Sequence, residues 1–188
     1  TMISSILTAA GYKTGLHTSP HLQIINEGYQ INNQIVPTIK LNTLLKELQP
    51  AIQEVELKNP FGSPSYFEVQ VALALYLFME EKVDVAVVEV GLGGTLDATN
   101  VIDAKIAVLT NIGLDHTDIL GNTIELIAQD KAGIIKTNQI VISGLTQPST
   151  QKIITERANE KGAEVWQFNQ EITVNYPTKE EGFSIVLP

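Results

Sequence analysis

The sequence contains no cysteine, no apolar run long enough to span a bilayer and no recognisable signal peptide. The first absence excludes disulfide bonds, zinc–thiolate sites and thiol catalysis, and it suits a reducing cytoplasm. The second absence argues against a transmembrane helix. We therefore expect a cytoplasmic protein.

Positive charge is also scarce, because 12 Lys and Arg stand against 21 Asp and Glu, for a formal net charge of −9. Such an acidic surface disfavours nucleic acid and anionic membranes as partners. An anionic ligand would have to be bound by local features such as helix N-termini, a metal ion or a few lysines. We expect small-molecule partners, and a monomer is the default expectation for the oligomeric state.

The length of 188 residues and a hydrophobic fraction of 44% are enough for one globular domain with a real core. The chain opens at Thr1 already inside a helical pattern, and it stops at Pro188 within a strand-like run. Because a natural chain begins with Met, we expect that the original N-terminus has been removed and that the far end is cut.

Apolar periodicity divides the chain into alternating helices and strands. Five segments have the pattern of a helix: 1–10, 38–55, 65–81, 122–136 and 149–161. Five apolar runs have the pattern of a strand: 13–18, 83–90, 106–110, 140–143 and 164–168. Residues 23–36 are typical of a loop or irregular hairpin, and residues 170–188 of a hairpin that turns near Lys179–Gly182. The alternation predicts an α/β fold with a mostly parallel sheet flanked by helices on both faces.

Glu89 lies at the end of an apolar strand pattern and is followed by Gly91, Gly93 and Gly94. Ligands of open α/β sheets bind beyond the carboxyl ends of the strands, and a carboxylate there could bind Mg²⁺. The glycines would let the backbone approach a ligand closely. Taken alone, however, Glu89 is explained more simply as a strand-end charge that reaches solvent.

Three further features are equally ambiguous on their own. Asp115 and His116 follow the strand at 106–110 and could emerge at the same sheet edge as Glu89, or Asp115 could be a helix N-cap with His116 exposed. Lys131, on the next helix, is explained most simply as a solvated surface lysine. Ser19 follows the first strand, where its hydroxyl could bind a metal ion or a phosphate or could merely stabilise a turn.

In combination these features become specific, because they belong to six strings that follow one another along the chain. The strings are Thr18-Ser19-Pro20-His21-Leu22, Ser65-Tyr66-Phe67-Glu68, Glu89-Val90-Gly91-Leu92-Gly93-Gly94, Leu96-Asp97-Ala98-Thr99-Asn100, Thr110-Asn111-Ile112-Gly113-Leu114-Asp115-His116 and Lys131-Ala132-Gly133-Ile134-Ile135-Lys136. In that order they resemble the folylpolyglutamate synthase / dihydrofolate synthase family of the Mur ligase superfamily.

The resemblance implies a Mur ligase central-domain fold, similar to P-loop ATPases, over residues 1–168, with 169–188 continuing the same domain as a hairpin. It implies an ATP-dependent ligase that activates the carboxylate of a folate or dihydropteroate as an acyl phosphate. The amino group of L-glutamate then attacks to form an amide. The implied cofactors are ATP and Mg²⁺.

The resemblance also implies roles for individual residues. Ser19, Glu89 and His116 would be metal ligands, and Glu89 and His116 would also be catalytic. Lys131 would be catalytic after it reacts with CO₂ to give an anionic carbamate beside a second metal ion. Asn111 and Asp115 would support cofactor binding. The pterin part of the substrate would be held by Ser65, Tyr66, Phe67, Glu68, Leu96, Asp97 and Ala98.

The sequence departs from the family pattern at several points. Thr95 and Gly28 stand where the family commonly has Arg, which predicts altered handling of an anionic substrate, and Asp130 replaces the usual Glu. The family's Gly-Lys-Gly-Ser/Thr phosphate-binding loop would fall just before Thr1, and its C-terminal domain beyond Pro188. We therefore expect this 188-residue chain to bind ATP poorly and not to turn over.

Two alternatives stay open at this point. One is a Mur-type ligase that acts on another carboxylate, such as a peptidoglycan precursor. The other is a non-catalytic binding module, which the missing loop and the two absent arginines favour. The joint presence of Ser19, Glu89, His116 and Lys131 favours an enzyme, because a binding module has no need of a metal cluster.

Overall fold

The computed structural model describes residues 1–175 and 184–188. The chain divides into two compact units, Thr1–Gly91 and Leu92–Pro188, and each contains helices and at least one β-sheet. The predicted α/β class is therefore confirmed, whereas the extent of a single domain over residues 1–168 stays a prediction. Within the described ranges, no helix has the length and apolar character needed to cross a membrane.

The first unit follows the predicted order of elements. It contains α1 (Met2–Ala9), β1 (Thr14–His17), a 3₁₀ turn (Ile25–Gly28), β2 (Tyr29–Ile31), β3 (Gln34–Ile35), α2 (Thr38–Lys58), α3 (Tyr66–Glu81) and β4 (Val85–Val88). Its sheet has the order β3-β2-β1-β4, in which β1 and β4 are parallel and β2 and β3 form an antiparallel hairpin. The irregular hairpin predicted at residues 23–36 is thereby confirmed.

Strand β1 is buried along its whole length because helices cover both of its faces. Successive residues of a strand point to opposite faces. Thr14 faces α1, where its hydroxyl lies 2.6 Å from that of Thr8. Gly15 faces α3 so closely that a Cβ there would lie 2.5 Å from the ring of Phe78. Strand β1 is thus held from two sides near its amino end.

The second unit contains a short parallel sheet and a hairpin. Its elements are a 3₁₀ turn (Ala98–Val101), β5 (Ile106–Leu109), α4 (Thr117–Leu120), α5 (Ile124–Lys131), a 3₁₀ turn (Ala132–Ile134), β6 (Ile140–Ser143), α6 (Pro148–Lys161), β7 (Glu164–Gln167), β8 (Thr173–Asn175) and β9 (Ser184–Val186). Strands β5, β6 and β7 are parallel neighbours, and β8 and β9 pair antiparallel, as the predicted hairpin requires. The turn predicted near Lys179–Gly182 lies outside the described residues.

Helices α5 and α6 pack on one face of the parallel sheet. Val141 of β6 is fully buried against Ile127 and Ala128 of α5 and Ile154 of α6. On the opposite face, Ile106 of β5 remains 51% exposed. Because α5 is anchored by its central residues, the position of Lys131 at its end is set by the core.

Candidate functional site

The structure brings Ser19 and Glu89 together at one edge of the first sheet. Strands β1 and β4 run parallel with His17 opposite Val88, so the residues that follow leave at the same edge. The backbone N–H of Ser19 donates to Oε2 of Glu89 over 3.1 Å, and the N–H of Glu89 donates to the carbonyl of His17 over 2.9 Å. Glu89 is exposed and Ser19 half-buried, so both are accessible to a ligand from solvent.

A second carboxylate, Glu27, binds the loop that follows Ser19. Its Oε2 accepts from the N–H of Leu22 over 2.7 Å, and its Oε1 accepts from the N–H groups of Gln23 and Ile24, each over 2.9 Å. The bonds from Ile24 and Leu22 are the main reasons why the pKa of Glu27 lies below its ordinary value. Sequence reasoning missed this residue, although an acidic side chain three positions after Ile24 has capping-box spacing.

Two of the predicted substrate residues cap helix α3. The N–H of Glu68 donates to Oγ of Ser65 over 3.2 Å, and the N–H of Ser65 donates to Oε2 of Glu68 over 2.6 Å. The bond with the Ser65 side chain is the first cause of a lowered pKa of Glu68. Tyr66 is 66% exposed and Phe67 is half-buried, so the ring surfaces in this segment come from these two residues.

Replacing Ser65 by alanine should lower the free energy of unfolding by about 1 kcal/mol, because the first turn of α3 loses its side-chain acceptor. Urea denaturation followed by circular dichroism measures this loss. Ser63→Ala is the matched control, since the Ser63 hydroxyl lies on the surface and bonds to the exposed Glu56 carboxylate. Equal stabilities of the two variants would contradict the capping role.

The loop after β5 is anchored by one apolar residue and otherwise exposed. Ile112 is 7% exposed and packs in the core of the second unit, whereas Asn111, Asp115 and His116 are exposed. The N-cap position of α4 falls on His116, so the alternative that placed it on Asp115 is wrong. His116 has a left-handed backbone (φ 48°), and its N–H donates to Oδ1 of Asp115 over 2.8 Å.

The glycine loop after Glu89 packs directly on the end of α5. A Cβ at Gly94 would lie 2.8 Å from the carbonyl oxygen of Asp130 and 2.9 Å from Cα of Lys131. Both the N–H and the hydroxyl of Thr95 donate to that same Asp130 carbonyl, over 3.1 and 2.9 Å. The backbone at Lys131 is therefore held in place, and its side chain is half-buried rather than fully solvated.

The predicted substrate segment Leu96–Ala98 has one buried and one exposed member. Asp97 is 9% exposed; its Oδ2 accepts from the N–H of Leu92 over 2.8 Å, and its Oδ1 accepts from the N–H and hydroxyl of Thr99. Leu96 is 94% exposed. Asn100, to which no role was assigned from sequence, donates from Nδ2 to the carbonyls of Thr95 and Gly133. It ties this segment to the residues after Lys131.

The donors at the first sheet edge suit Mg²⁺, which prefers oxygen ligands and keeps several waters or substrate oxygens. Ser19 offers a hydroxyl and Glu89 a carboxylate at adjoining strand ends. Among residues 1–175 and 184–188, no cluster of three or more His, Asp or Glu forms an all-protein metal cage.

Comparison with known proteins places these features in a family. A model of the Mur ligase middle domain matches residues 1–185. The dihydrofolate synthase/folylpolyglutamate synthase of Escherichia coli is 42% identical over 161 residues, which cover 86% of this chain and 36% of that protein. The structure of E. coli FolC in complex with DHPP and ADP has a TM-score of 0.85 and 37% identity, and covers 97% of this chain and 42% of that one.

A third similarity is to the Mycobacterium tuberculosis folylpolyglutamate synthase complexed with ADP, with a TM-score of 0.89, 35% identity, and coverage of 93% of this chain and 40% of that one. These relatives confirm the resemblance that the motifs indicated. The chain spans less than half the length of each of them. The match over residues 1–185 shows that this chain belongs to the Mur ligase middle-domain family.

Proposed function

We propose that the protein containing this chain is an ATP-dependent amide ligase that joins L-glutamate to the carboxylate of a folate or dihydropteroate. The observation that carries the proposal is the pairing of Ser19 with the Glu89 carboxylate, 3.1 Å apart at the ends of two parallel strands. Support also comes from similar proteins that are named dihydrofolate or folylpolyglutamate synthases, two of which were solved with ADP.

The proposed reaction has two steps. The substrate carboxylate attacks the terminal phosphorus of ATP, which gives an acyl phosphate and ADP. The amine of L-glutamate then attacks the acyl carbon, an amide bond forms, and inorganic phosphate leaves with its bonding electron pair while the amine loses a proton. Ser19, Glu89 and His116 would hold Mg²⁺, which neutralises charge on the transferred phosphoryl group when it is bound.

Lys131 would carry a carbamate in this proposal. Its neutral amine adds to CO₂ and loses one proton, which replaces a cationic side chain by an anionic oxygen donor. The close contact between Gly94 and the Lys131 backbone supports a fixed position for this group. Asn111 and Asp115, exposed on the loop that leads to His116, would support nucleotide binding.

The substrate contacts are proposed for exposed or half-buried apolar members of two segments. Tyr66, Phe67 and Leu96 offer aromatic and apolar surface to a flat pterin ring. Ser65, Glu68 and Asp97 are engaged with backbone groups, and they would act by shaping their segments rather than by contacting substrate through a free side chain. Ala98 would contribute through its backbone.

Phosphate release from ATP tests this proposal. The protein that contains this chain should release phosphate when dihydropteroate or a folate is present together with L-glutamate and Mg²⁺. Nucleotide-linked muramyl substrates serve as the matched comparison. Stimulation by the muramyl substrates alone would identify a Mur-type ligase of different specificity, and no stimulation by either would favour a binding module. The cytoplasmic location stays a prediction.

A further inference from the structure

The loop of residues 18–24, which contains Ser19, is held at its far end by the carboxylate of Glu27. The three backbone N–H groups from Leu22 to Ile24 all point to that carboxylate, over 2.7 to 2.9 Å. Charged acceptors make the stronger class of hydrogen bond, and three donors on one carboxylate fix its position. Glu27 therefore determines where the second half of this loop lies.

The neighbouring residue, Gly28, holds the near end of the same loop. The carbonyl of Gly28 accepts from Nδ1 of the buried His17 over 2.8 Å. A Cβ at Gly28 would lie only 2.7 Å from the carbonyl oxygen of Thr18, so backbone packs on backbone there. Two consecutive residues of the 3₁₀ turn Ile25–Gly28 thus contact both ends of the loop around Ser19.

The turn that carries Glu27 and Gly28 is itself fixed. Asn26 is 6% exposed, its Nδ2 donates to the carbonyl of Val36 over 2.8 Å, and its Oδ1 accepts from the hydroxyl of Thr38 over 3.3 Å. Asn26 therefore ties the turn to Val36 and to the start of α2.

We propose that Glu27 is a positioning residue that fixes the loop of residues 18–24 so that Ser19 keeps its contact with the Glu89 carboxylate at a divalent-cation site. This rests on the metal site of the proposed function. The Ser19 N–H bond to Glu89 defines one contact of the loop with the site, and Glu27 keeps the remainder of the loop from pulling Ser19 away.

The same geometry gives Gly28 a reason to lack a side chain. Where the family commonly has Arg, any Cβ in this chain would push the Thr18 carbonyl, one residue before Ser19. Gly28 therefore lets backbone pack on backbone directly before Ser19.

The test compares Glu27→Gln with Glu54→Gln in the 188-residue chain. The Glu27→Gln variant keeps the size of the side chain but loses the charge and one acceptor, whereas Glu54 lies on the surface of α2 and pairs with the exposed Lys58. Amide hydrogen exchange of Leu22 to Ile24 should become about tenfold faster in Glu27→Gln. Mn²⁺ alone should broaden the NMR signals of Ser19 and Glu89 in the unmodified chain. The Glu27→Gln variant should require an about tenfold higher Mn²⁺ concentration for the same broadening.

The outcomes separate a positioning role from a structural one. Faster exchange with an unchanged Mn²⁺ requirement would mean that Glu27 shapes the loop without affecting the metal site. Unchanged exchange would mean that Glu27 does not hold the loop. Either result would overturn the proposal. Absence of broadening at Ser19 and Glu89 in the unmodified chain would overturn it together with the metal site. Failure of the ligase assay with normal broadening would reject the proposed reaction and leave the role of Glu27 standing.

Discussion

Replacing Glu89 by glutamine will lower substrate-dependent phosphate release by about 100-fold or more, the usual cost of removing one electrostatic stabiliser from an active site. The change is nearly isosteric and keeps an oxygen that can accept from the Ser19 N–H, so the two strand ends stay connected. What disappears is the negative charge that would hold Mg²⁺. Because Glu89 is exposed, the fold should not depend on it.

The assay compares the initial rate of phosphate release, at saturating Mg²⁺, for three forms of the protein that contains this chain. Glu54→Gln makes the same chemical change at a surface ion pair, and its rate should stay within about twofold of the unmodified protein. Thermal unfolding of all three forms checks that the fold is intact. A Glu89→Gln rate close to that of Glu54→Gln would remove Glu89 from the catalytic site.

The order of elements could be predicted from the sequence because most of the predicted strands are short apolar runs that alternate with helical patterns. The runs at 140–143 and 164–168 became β6 and β7 with almost unchanged limits. The predicted helix at 122–136 was too long, since α5 gives way to a 3₁₀ turn at Ala132. Apolar periodicity does not show where the α-helix ends, because Ile134 and Ile135 continue the apolar pattern. The hydrogen bonding nevertheless changes from α-helical to 3₁₀ at Ala132.

The roles that the sequence predicts for the candidate site residues stay predictions. Motif strings predict Ser65, Glu68 and Asp97 as substrate residues, and in the fold their side chains bind backbone groups that the folded chain brings within reach. The sequence did not predict that Glu27 holds the loop of residues 18–24. Its three partners are backbone N–H groups, and a sequence does not show the path of the loop that turns them toward one carboxylate.

Gly94 packs closely on the backbone of Lys131, a residue distant in sequence for which we propose a catalytic role. Its Cα faces the carbonyl oxygens of Asp130 and Lys131 and the Cα of Lys131, and a Cβ would approach all three within 2.9 Å. These are backbone atoms at the end of a helix anchored in the core, so they cannot move aside as a flexible side chain would. A side chain at position 94 must therefore displace the Lys131 segment or the glycine loop.

Replacing Gly94 by alanine should accordingly lower the free energy of unfolding by about 1–3 kcal/mol. It should also lower the ligase rate by about 100-fold, because a displacement near 1 Å of a catalytic group has that effect. Gly113→Ala is the matched control: a Cβ there meets nothing within 4 Å, and the backbone is not left-handed. Urea denaturation and phosphate release measure the two effects. If both alanine variants behave alike, the contact between Gly94 and Lys131 does not position the lysine.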